Sequence, residues 1–112
     1  MSNEKTKQIA KLNDLLRTTF NPMVGQIMIT QGISSLPEED RSSIFNLIRT
    51  FNNFTIDNDP YGEHDFGKIE HNGNKVFFKI DYYAPDIQHL SEDPSNPAIT
   101  KRVMTIMLAN EY

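Results

Sequence analysis

Apolar side chains recur at helical spacing in two stretches of the first half of the chain. The first stretch predicts a helix over residues 5–19, which the Asn-Pro pair at 21–22 ends. The second predicts a helix over residues 35–51. It begins at Ser35, whose hydroxyl is placed to accept a hydrogen bond from the backbone N–H of Glu38 in a capping box. The apolar positions are Ile9, Leu12, Leu15, Leu16 and Phe20 in the first helix and Ile44, Leu47, Ile48 and Phe51 in the second.

A third helix is predicted after residue 95. Asn96 is a favourable N-cap, and Pro97 suits the first helical position because its missing N–H needs no partner there. The pattern predicts a helix that ends near Asn110. Its apolar stripe consists of Ile99, Val103, Ile106 and Met107.

Shorter runs rich in β-branched and aromatic residues indicate strands. Residues 26–30 form one such run, bounded by Gly25 and Gly32. The pair Asn72-Gly73 lies between two others and is a strong signal of a β-hairpin, because a type I′ turn needs positive φ at both central residues. We therefore expect about three strands.

The hairpin turn determines which residues face each other across the two strands. If Asn72 and Gly73 form the loop, Ile69 lies opposite Val76 and His64 lies opposite Asp81. Side chains alternate between the two faces of a strand. The residues expected on the core side are Ile69, Val76, Phe78, Ile80 and Tyr82.

This register conflicts with side-chain polarity near Gly67. Without a break it sends Phe66 outward beside the lysines and turns Asp65 toward the core. An extra residue at a β-bulge would reverse both orientations, and an isolated glycine in a strand is typical of a bulge. The sequence predicts a bulge at Gly67.

Together the elements predict an α+β fold in the order α-β-α-β-β-α, with a small antiparallel sheet packed against three helices. The length of 112 residues fits a single domain spanning residues 1–112. The absence of cysteine excludes disulfides and thiolate chemistry. No apolar run approaches the roughly 18 to 20 residues that a membrane span needs, so we expect a cytoplasmic protein without a membrane partner.

Residues 55–67 concentrate the polar side chains of the chain, with four carboxylates and one histidine. The residues Asn, Asp, Pro and Gly support tight turns, so the structural interpretation is a surface loop that enters the hairpin. The functional interpretation is a partner-binding surface. Its candidate residues are Asp57, Asp59, Tyr61, Glu63 and Asp65.

A catalytic interpretation starts from His64 and Asp81, which the predicted register pairs. A carboxylate that accepts from one imidazole nitrogen makes the other nitrogen a better base or metal ligand. The spacing matches no metal motif, and the twelfth position of a calcium loop counted from Asp57 is Lys68 instead of glutamate. We expect no metal and no cofactor.

The charge balance bears on nucleic acid as a partner. Eleven basic and fifteen acidic residues give a net charge of −4, which argues against a broad phosphate-binding surface. The hairpin nevertheless carries lysines and aromatic residues that could contact phosphates and stack on bases. These residues are Lys68, Lys75, Lys79, Tyr82 and Tyr83.

Three sequence blocks resemble those of a known family. They are Asn-Asp-Pro-Tyr-Gly-Glu-His-Asp-Phe-Gly at 58–67, Lys-Ile-Asp-Tyr-Tyr at 79–83, and Thr-Ile-Met-Leu-Ala-Asn-Glu-Tyr at 105–112. The family is one of small bacterial proteins classed as a domain of unknown function. The resemblance implies an origin on plasmids and other mobile elements of proteobacteria, and it implies no activity.

The sequence therefore favours a small, acidic, noncatalytic protein-binding module of a mobile genetic element. Its expected partner is a host or defence protein, as in anti-CRISPR or anti-restriction action. The expected contact surface is residues 57–65 together with the polar loop 84–95, because loops carry most partner contacts of small proteins. One alternative is a hydrolase, metal-dependent or not, centred on His64 and Asp81. A second alternative is a protein that binds single-stranded nucleic acid.

Overall fold

The structure is a computed structural model that describes residues 3–112. This part of the chain contains three helices and a four-stranded sheet, so the mixed α and β composition is confirmed. The helices are α1 (Asn3–Thr19), α2 (Gln31–Ser34) and α3 (Glu38–Arg49). The strands are β1 (Gln26–Ile29), β2 (Phe66–His71), β3 (Asn74–Tyr83) and β4 (Lys101–Leu108).

The sheet has the strand order β1-β4-β3-β2. Strand β1 runs parallel to β4, and the other neighbours are antiparallel, so the predicted antiparallel sheet of about three strands is wrong and the sheet is mixed with four strands. The predicted order α-β-α-β-β-α is wrong as well, because two helices lie between β1 and the hairpin and a strand follows it. The hairpin is confirmed in its predicted register, with Ile69 opposite Val76. Its loop residues Asn72 and Gly73 have φ values of 49° and 79°, as a type I′ turn requires.

The predicted bulge at Gly67 is wrong. Strands β2 and β3 pair one to one from His71↔Asn74 to Phe66↔Lys79, which places Gly67 opposite Phe78. A Cβ atom at residue 67 would overlap the ring of Phe78 and lie 3.0 Å from the ring of Phe51. The glycine is therefore needed because a buried aromatic ring occupies the space of its side chain.

The predicted third helix is also wrong, because most of that segment forms β4. Asn96 does act as a cap, since its side chain accepts from the backbone N–H of Ala98. However, it caps only a single 3-10 turn at Pro97–Ile99. The apolar run after it lies between β1 and β3 at the centre of the sheet, where both strand edges are paired. Apolar residues occur on both faces of this strand, Met104 and Ile106 on the core side and Val103 and Met107 on the other, so its pattern also fits a helix.

The two long helices are confirmed, with one correction at the start of α3. This helix begins at Glu38 after Pro37, and no side chain caps its N-terminus, so the predicted capping box at Ser35 is not formed. The short helix α2 was not predicted. It lies next to the end of β4, where the Glu111 carboxylate accepts hydrogen bonds from the hydroxyl of Thr30 and the backbone N–H of Gly32. The bond from Thr30 lowers the pKa of Glu111.

The helices cover one face of the sheet, and the core lies between them and that face. Even-numbered residues of β3 and β4 point into this layer, and odd-numbered residues point to the opposite face. None of the helices in residues 3–112 is both long and apolar enough to cross a membrane. The core residues are Leu16, Ile33, Ile44, Ile48, Val76, Phe78, Ile80, Met104 and Ile106.

Candidate functional site

Hydrogen bonds of His64 connect helix α1 to the loop that joins α3 to β2, residues 50–65. The Nδ1–H of His64 donates to both carboxylate oxygens of Asp14, at 2.9 and 3.0 Å. Its backbone N–H donates to Asp59 at 3.1 Å, and its Nε2 lies 3.8 Å from the other Asp59 oxygen. The imidazole stacks on Phe54 with a centroid distance of 4.1 Å. These contacts hold His64 at a φ of 58°, a left-handed conformation that few non-glycine residues adopt.

The predicted pairing of His64 with Asp81 is wrong. Strand β2 begins at Phe66, so His64 lies before the ladder and turns toward α1. Asp81 points to the opposite face of the sheet, where its carboxylate binds the amino group of Lys79 at 3.0 Å. Asp14 therefore takes the position beside the imidazole that the sequence-based register assigned to Asp81.

A second set of hydrogen bonds joins the same loop to the sheet through Asn13. The Asn13 amide donates to the hydroxyl of Tyr82 at 2.8 Å and to the backbone carbonyl of Glu63 at 2.9 Å. Its carbonyl oxygen accepts from Nε of Arg102 at 2.6 Å. The Tyr82 hydroxyl completes the set by donating to the Glu63 carboxylate at 2.9 Å. Asn13 thus links helix α1, the loop and two central strands.

Burial shifts the pKa values of Tyr82 and Arg102, two members of this second set. It raises the pKa of Tyr82 and lowers the pKa of Arg102, whose guanidinium lies over the Tyr82 ring at 5.1 Å. The phenol therefore remains neutral at physiological pH, which keeps its proton available for Glu63. Each polar group named here has a partner inside the molecule, as buried polar groups require.

Asp65 is the unfavourable charge in this region. Burial raises the pKa of Asp65, and the negative charge of Glu63 raises it further. We predict that Asp65→Asn increases the free energy of unfolding at pH 7, by an amount on the order of 0.5 kcal/mol. The gain should be absent below about pH 3.9, where Asp65 is protonated in both states, and should grow as the pH rises toward the higher folded-state pKa.

Urea unfolding of both proteins at several pH values between about 3 and 7 measures this difference. Lower stability of the Asp65→Asn variant at pH 7 would show that the Asp65 carboxylate makes a favourable contact and would contradict the prediction. Lys68→Gln, on exposed β2 surface, is a control that also changes one charge.

The five residues predicted to bind a partner divide into two groups. Asp59 is only 8% exposed and is used inside the loop, while Glu63 and Asp65 are half-buried. Asp57 is exposed, and Tyr61 is 81% exposed. Ile56, which was not predicted, is 82% exposed beside them. We call Ile56, Asp57 and Tyr61 the loop tip.

Hydrogen bonds within the loop define the shape of the loop tip. The Asn58 side chain accepts from the backbone N–H of Thr55 at 2.9 Å and donates to the carbonyl of Asn53 at 2.9 Å. The backbone N–H of Asp59 donates to the Thr55 carbonyl at 2.8 Å, and that of Gly62 donates to the Asp59 carbonyl at 3.1 Å. The loop is thus ordered by its own contacts before any partner arrives.

The residues of α1 that hold the loop were not predicted from the sequence. Asn13 and Arg17 are buried polar residues on the face of α1 that also carries Ile9 and Leu16. Asn13 lies four residues after Ile9, and Arg17 lies four residues after Asn13, so both fall within the apolar stripe. Polar residues inside an apolar stripe indicate buried hydrogen bonds and are a signal that was available in the sequence.

Metal binding finds no support in the side-chain arrangement. Across residues 3–112, no group of three or more histidine or carboxylate side chains is close enough together to hold a metal ion. This holds also for His64 with Asp14 and Asp59.

The fold and the loop define a small mixed α/β protein in which a loop rich in aspartate is fastened to the first helix. Residues 29–111 match the model of a family described as "Protein of unknown function (DUF3768)", and the chain belongs to this family. The predicted relationship to a domain of unknown function is thereby confirmed. The match begins after Asn13 and Asp14, so the residues of α1 that hold the loop lie outside it. Neither a curated protein nor a solved structure matches the chain.

Proposed function

We propose that the chain is a noncatalytic protein-binding module whose contact surface is the loop tip. The observation that supports this proposal is the division of the loop into two sides. Its inner side chains are hydrogen-bonded to α1 and to one another, whereas Ile56 and Tyr61 are more than four-fifths exposed. A large apolar side chain in water gains free energy when a partner covers it.

The order of the loop favours binding. A flexible loop loses conformational freedom when it binds, and this loss weakens the complex. Here the hydrogen bonds of Asn58 and Asp59 impose the conformation in advance. Tyrosine, as at Tyr61, is enriched among the few residues that dominate a protein interface, and Ile56 and Asp57 lie in the same loop.

The proposed partner is a host or defence protein, in keeping with the expected origin on a mobile element. The chain has a net charge of −4, and Asp57 adds a carboxylate at the loop tip. A partner surface with lysine or arginine opposite Asp57 would fit this charge. Anti-CRISPR or anti-restriction action would follow if such a surface belongs to a defence nuclease.

The geometry of His64 gives less support to a hydrolase. Both ring nitrogens face carboxylates, Asp14 on one side and Asp59 on the other. Phe54 covers one face of the ring. A general base needs a free nitrogen directed toward a substrate, and this histidine instead joins the loop to α1.

The proposal predicts that Asp57→Lys combined with Tyr61→Ala lowers partner affinity by about tenfold or more, because both contacts lie at the centre of the proposed surface. Immobilised full-length protein captures partners from host lysate, and mass spectrometry identifies them. The identified partner is then purified, and its affinity is measured by isothermal titration calorimetry. The free energy of unfolding should stay within about 0.5 kcal/mol, since both side chains are exposed.

The matched control is Glu39→Lys combined with Met23→Ala. It makes the same charge change and also removes a large exposed side chain, but on other surfaces of the chain. This control should bind the partner as the original protein does. If the variant with Asp57→Lys and Tyr61→Ala binds the partner as tightly as the original protein does, the loop tip is not the contact surface.

A further inference from the structure

The sheet has a second face, which none of the described helices covers. We call it the open face and define it by the outward side chains of the four strands. Its residues are Gln26, Met28, Phe66, Lys68, Glu70, Lys75, Phe77, Lys79, Asp81, Tyr83, Lys101, Val103 and Thr105, while Met107 lies on the same side of the sheet but is buried. The loop tip is not part of this face.

Three aromatic rings form a cluster on the open face. The ring centroids of Phe66 and Phe77 are 5.1 Å apart, and Tyr112 lies 5.7 Å from Phe77 and 6.1 Å from Phe66. Tyr112 is 75% exposed, while the two phenylalanines are half-buried. The cluster therefore offers one exposed ring on a rigid aromatic base.

Lysines alternate with these rings because of the strand register. Lys79 lies opposite Phe66, and Lys68 lies opposite Phe77. The open face carries four of the eleven basic residues of the chain and only two of its fifteen acidic residues. One of these two, Asp81, is paired with Lys79 at 3.0 Å. The open face is thus net positive, although the chain as a whole is acidic.

We infer that the open face binds single-stranded nucleic acid, with Tyr112 stacking on a base and the lysines neutralising phosphates. Stacking on aromatic side chains combined with a positively charged surface is the general means by which proteins hold single strands. The net charge of −4 argued against such a partner at the level of composition. In the structure most acidic residues lie away from the open face. A nucleic-acid strand responds to the charge of the surface that it contacts, not to the net charge of the chain.

A single strand fits the open face better than a duplex does. Only unpaired bases expose a ring face for stacking on Tyr112. An acidic peptide would satisfy the lysines but would leave the aromatic cluster of Phe66, Phe77 and Tyr112 without a stacking partner. The inference is independent of the proposed function, since the two concern different surfaces.

Fluorescence anisotropy with a short labelled single strand of mixed sequence, as RNA and as DNA, tests the inference on the full chain. We expect binding that weakens with salt, with a log–log slope of about −2 if the three lysines that are not paired with Asp81 each neutralise a phosphate. Lys68→Glu combined with Lys101→Glu should lower the affinity by about tenfold or more and should make the slope shallower. Tyr112→Ala should lower it by about fivefold without changing the slope, because stacking releases no counterions.

The matched control is Lys7→Glu combined with Lys11→Glu on the exposed side of α1, which changes the net charge equally. It should bind the strand nearly as the original protein does. Four outcomes would each overturn the inference. They are no binding at low salt, an equal loss in the control variant, equal affinity for a duplex, and equally effective competition by polyglutamate, which would indicate a site for acidic peptides.

Discussion

Arg17→Met is expected to lower the free energy of unfolding by about 3 kcal/mol, the lower end of the range for breaking a buried charged contact. Arg17 is only 3% exposed, and its Nη1 donates to the backbone carbonyls of Ile48 at 3.1 Å and Phe51 at 2.7 Å. The Ile48 carbonyl lies in the last turn of α3 and also accepts from the backbone N–H of Phe51 at 3.3 Å, while the Phe51 carbonyl lies just beyond the helix. Its Nη2 donates to Asp14 at 2.9 Å, so the guanidinium also holds the carboxylate that binds His64.

Methionine preserves much of the apolar stem of Arg17 but none of its donors. The cost arises because the Phe51 carbonyl loses its guanidinium donor in a part-buried position, while the Ile48 carbonyl and Asp14 each lose one of their partners. Nε of Arg17 has no hydrogen-bond partner among the described residues, so the expected loss comes from the two terminal nitrogens. Urea unfolding followed by circular dichroism gives the change. Lys11→Met, an exposed position on the same helix, should change stability by less than about 0.5 kcal/mol.

A decrease in the free energy of unfolding of less than about 1 kcal/mol for Arg17→Met would show that water replaces the guanidinium at the end of α3. Arg17 would then not be needed to hold the loop against α1. A loss near 3 kcal/mol with unchanged loop-tip binding would separate two roles. Arg17 would then stabilise the fold, and the loop would keep its shape through Asn13 and its own hydrogen bonds.

Local signals predicted the elements that depend on local physics. The Asn72-Gly73 turn specifies the hairpin register through its positive φ values, and the stripe from Ile9 to Phe20 specifies α1. Neither depends on distant parts of the chain. For this reason the predicted register is confirmed from His71↔Asn74 to Lys68↔Phe77, and it continues to Phe66↔Lys79 without the predicted bulge.

The segment that became β4 could not be assigned in the same way. Val103, Ile106 and Met107 fit a helical stripe and also fit a central strand with apolar residues on both faces. What decides is the parallel pairing of Met28 with Thr105, a contact between residues far apart in sequence. Arg102 is buried although it follows Lys101 in the sequence, and its burial is explained only by its hydrogen bond to Asn13.

The candidate site was predicted in its location but not in its arrangement. Composition indicated residues 55–67, and the structure places the loop tip there. Composition could not indicate that Asp59 and Glu63 turn inward. Their partners include His64, Tyr82 and residues of α1, and some of these are distant in sequence. Extending the strand register to His64 assumed that β2 continues past Phe66, whereas the left-handed conformation of His64 belongs to the loop.

Gly67→Ala is expected to lower the free energy of unfolding by about 2 to 3 kcal/mol, the upper part of the range for forcing extra volume into a packed core. The backbone conformation does not cause this cost, because alanine is compatible with a strand. The cause is that a Cβ atom would overlap the ring of Phe78 and crowd the ring of Phe51 at 3.0 Å. Phe78 is fully buried, and Phe51 packs against it edge to face at 5.3 Å, so neither ring can move without disturbing the core.

A double-mutant cycle tests this cause against general loss of strand stability. Phe78→Leu alone should destabilise the protein by leaving a cavity, but it also removes the ring atoms that overlap residue 67. Gly67→Ala should therefore cost much less in the Phe78→Leu background, with a coupling free energy of about 1 kcal/mol or more. Lys68→Ala, the exposed neighbour on the same strand, should show no such coupling with Phe78→Leu. Additive effects at Gly67 and Phe78 would mean that the glycine serves the backbone, as the predicted bulge had it, instead of the packing of the ring.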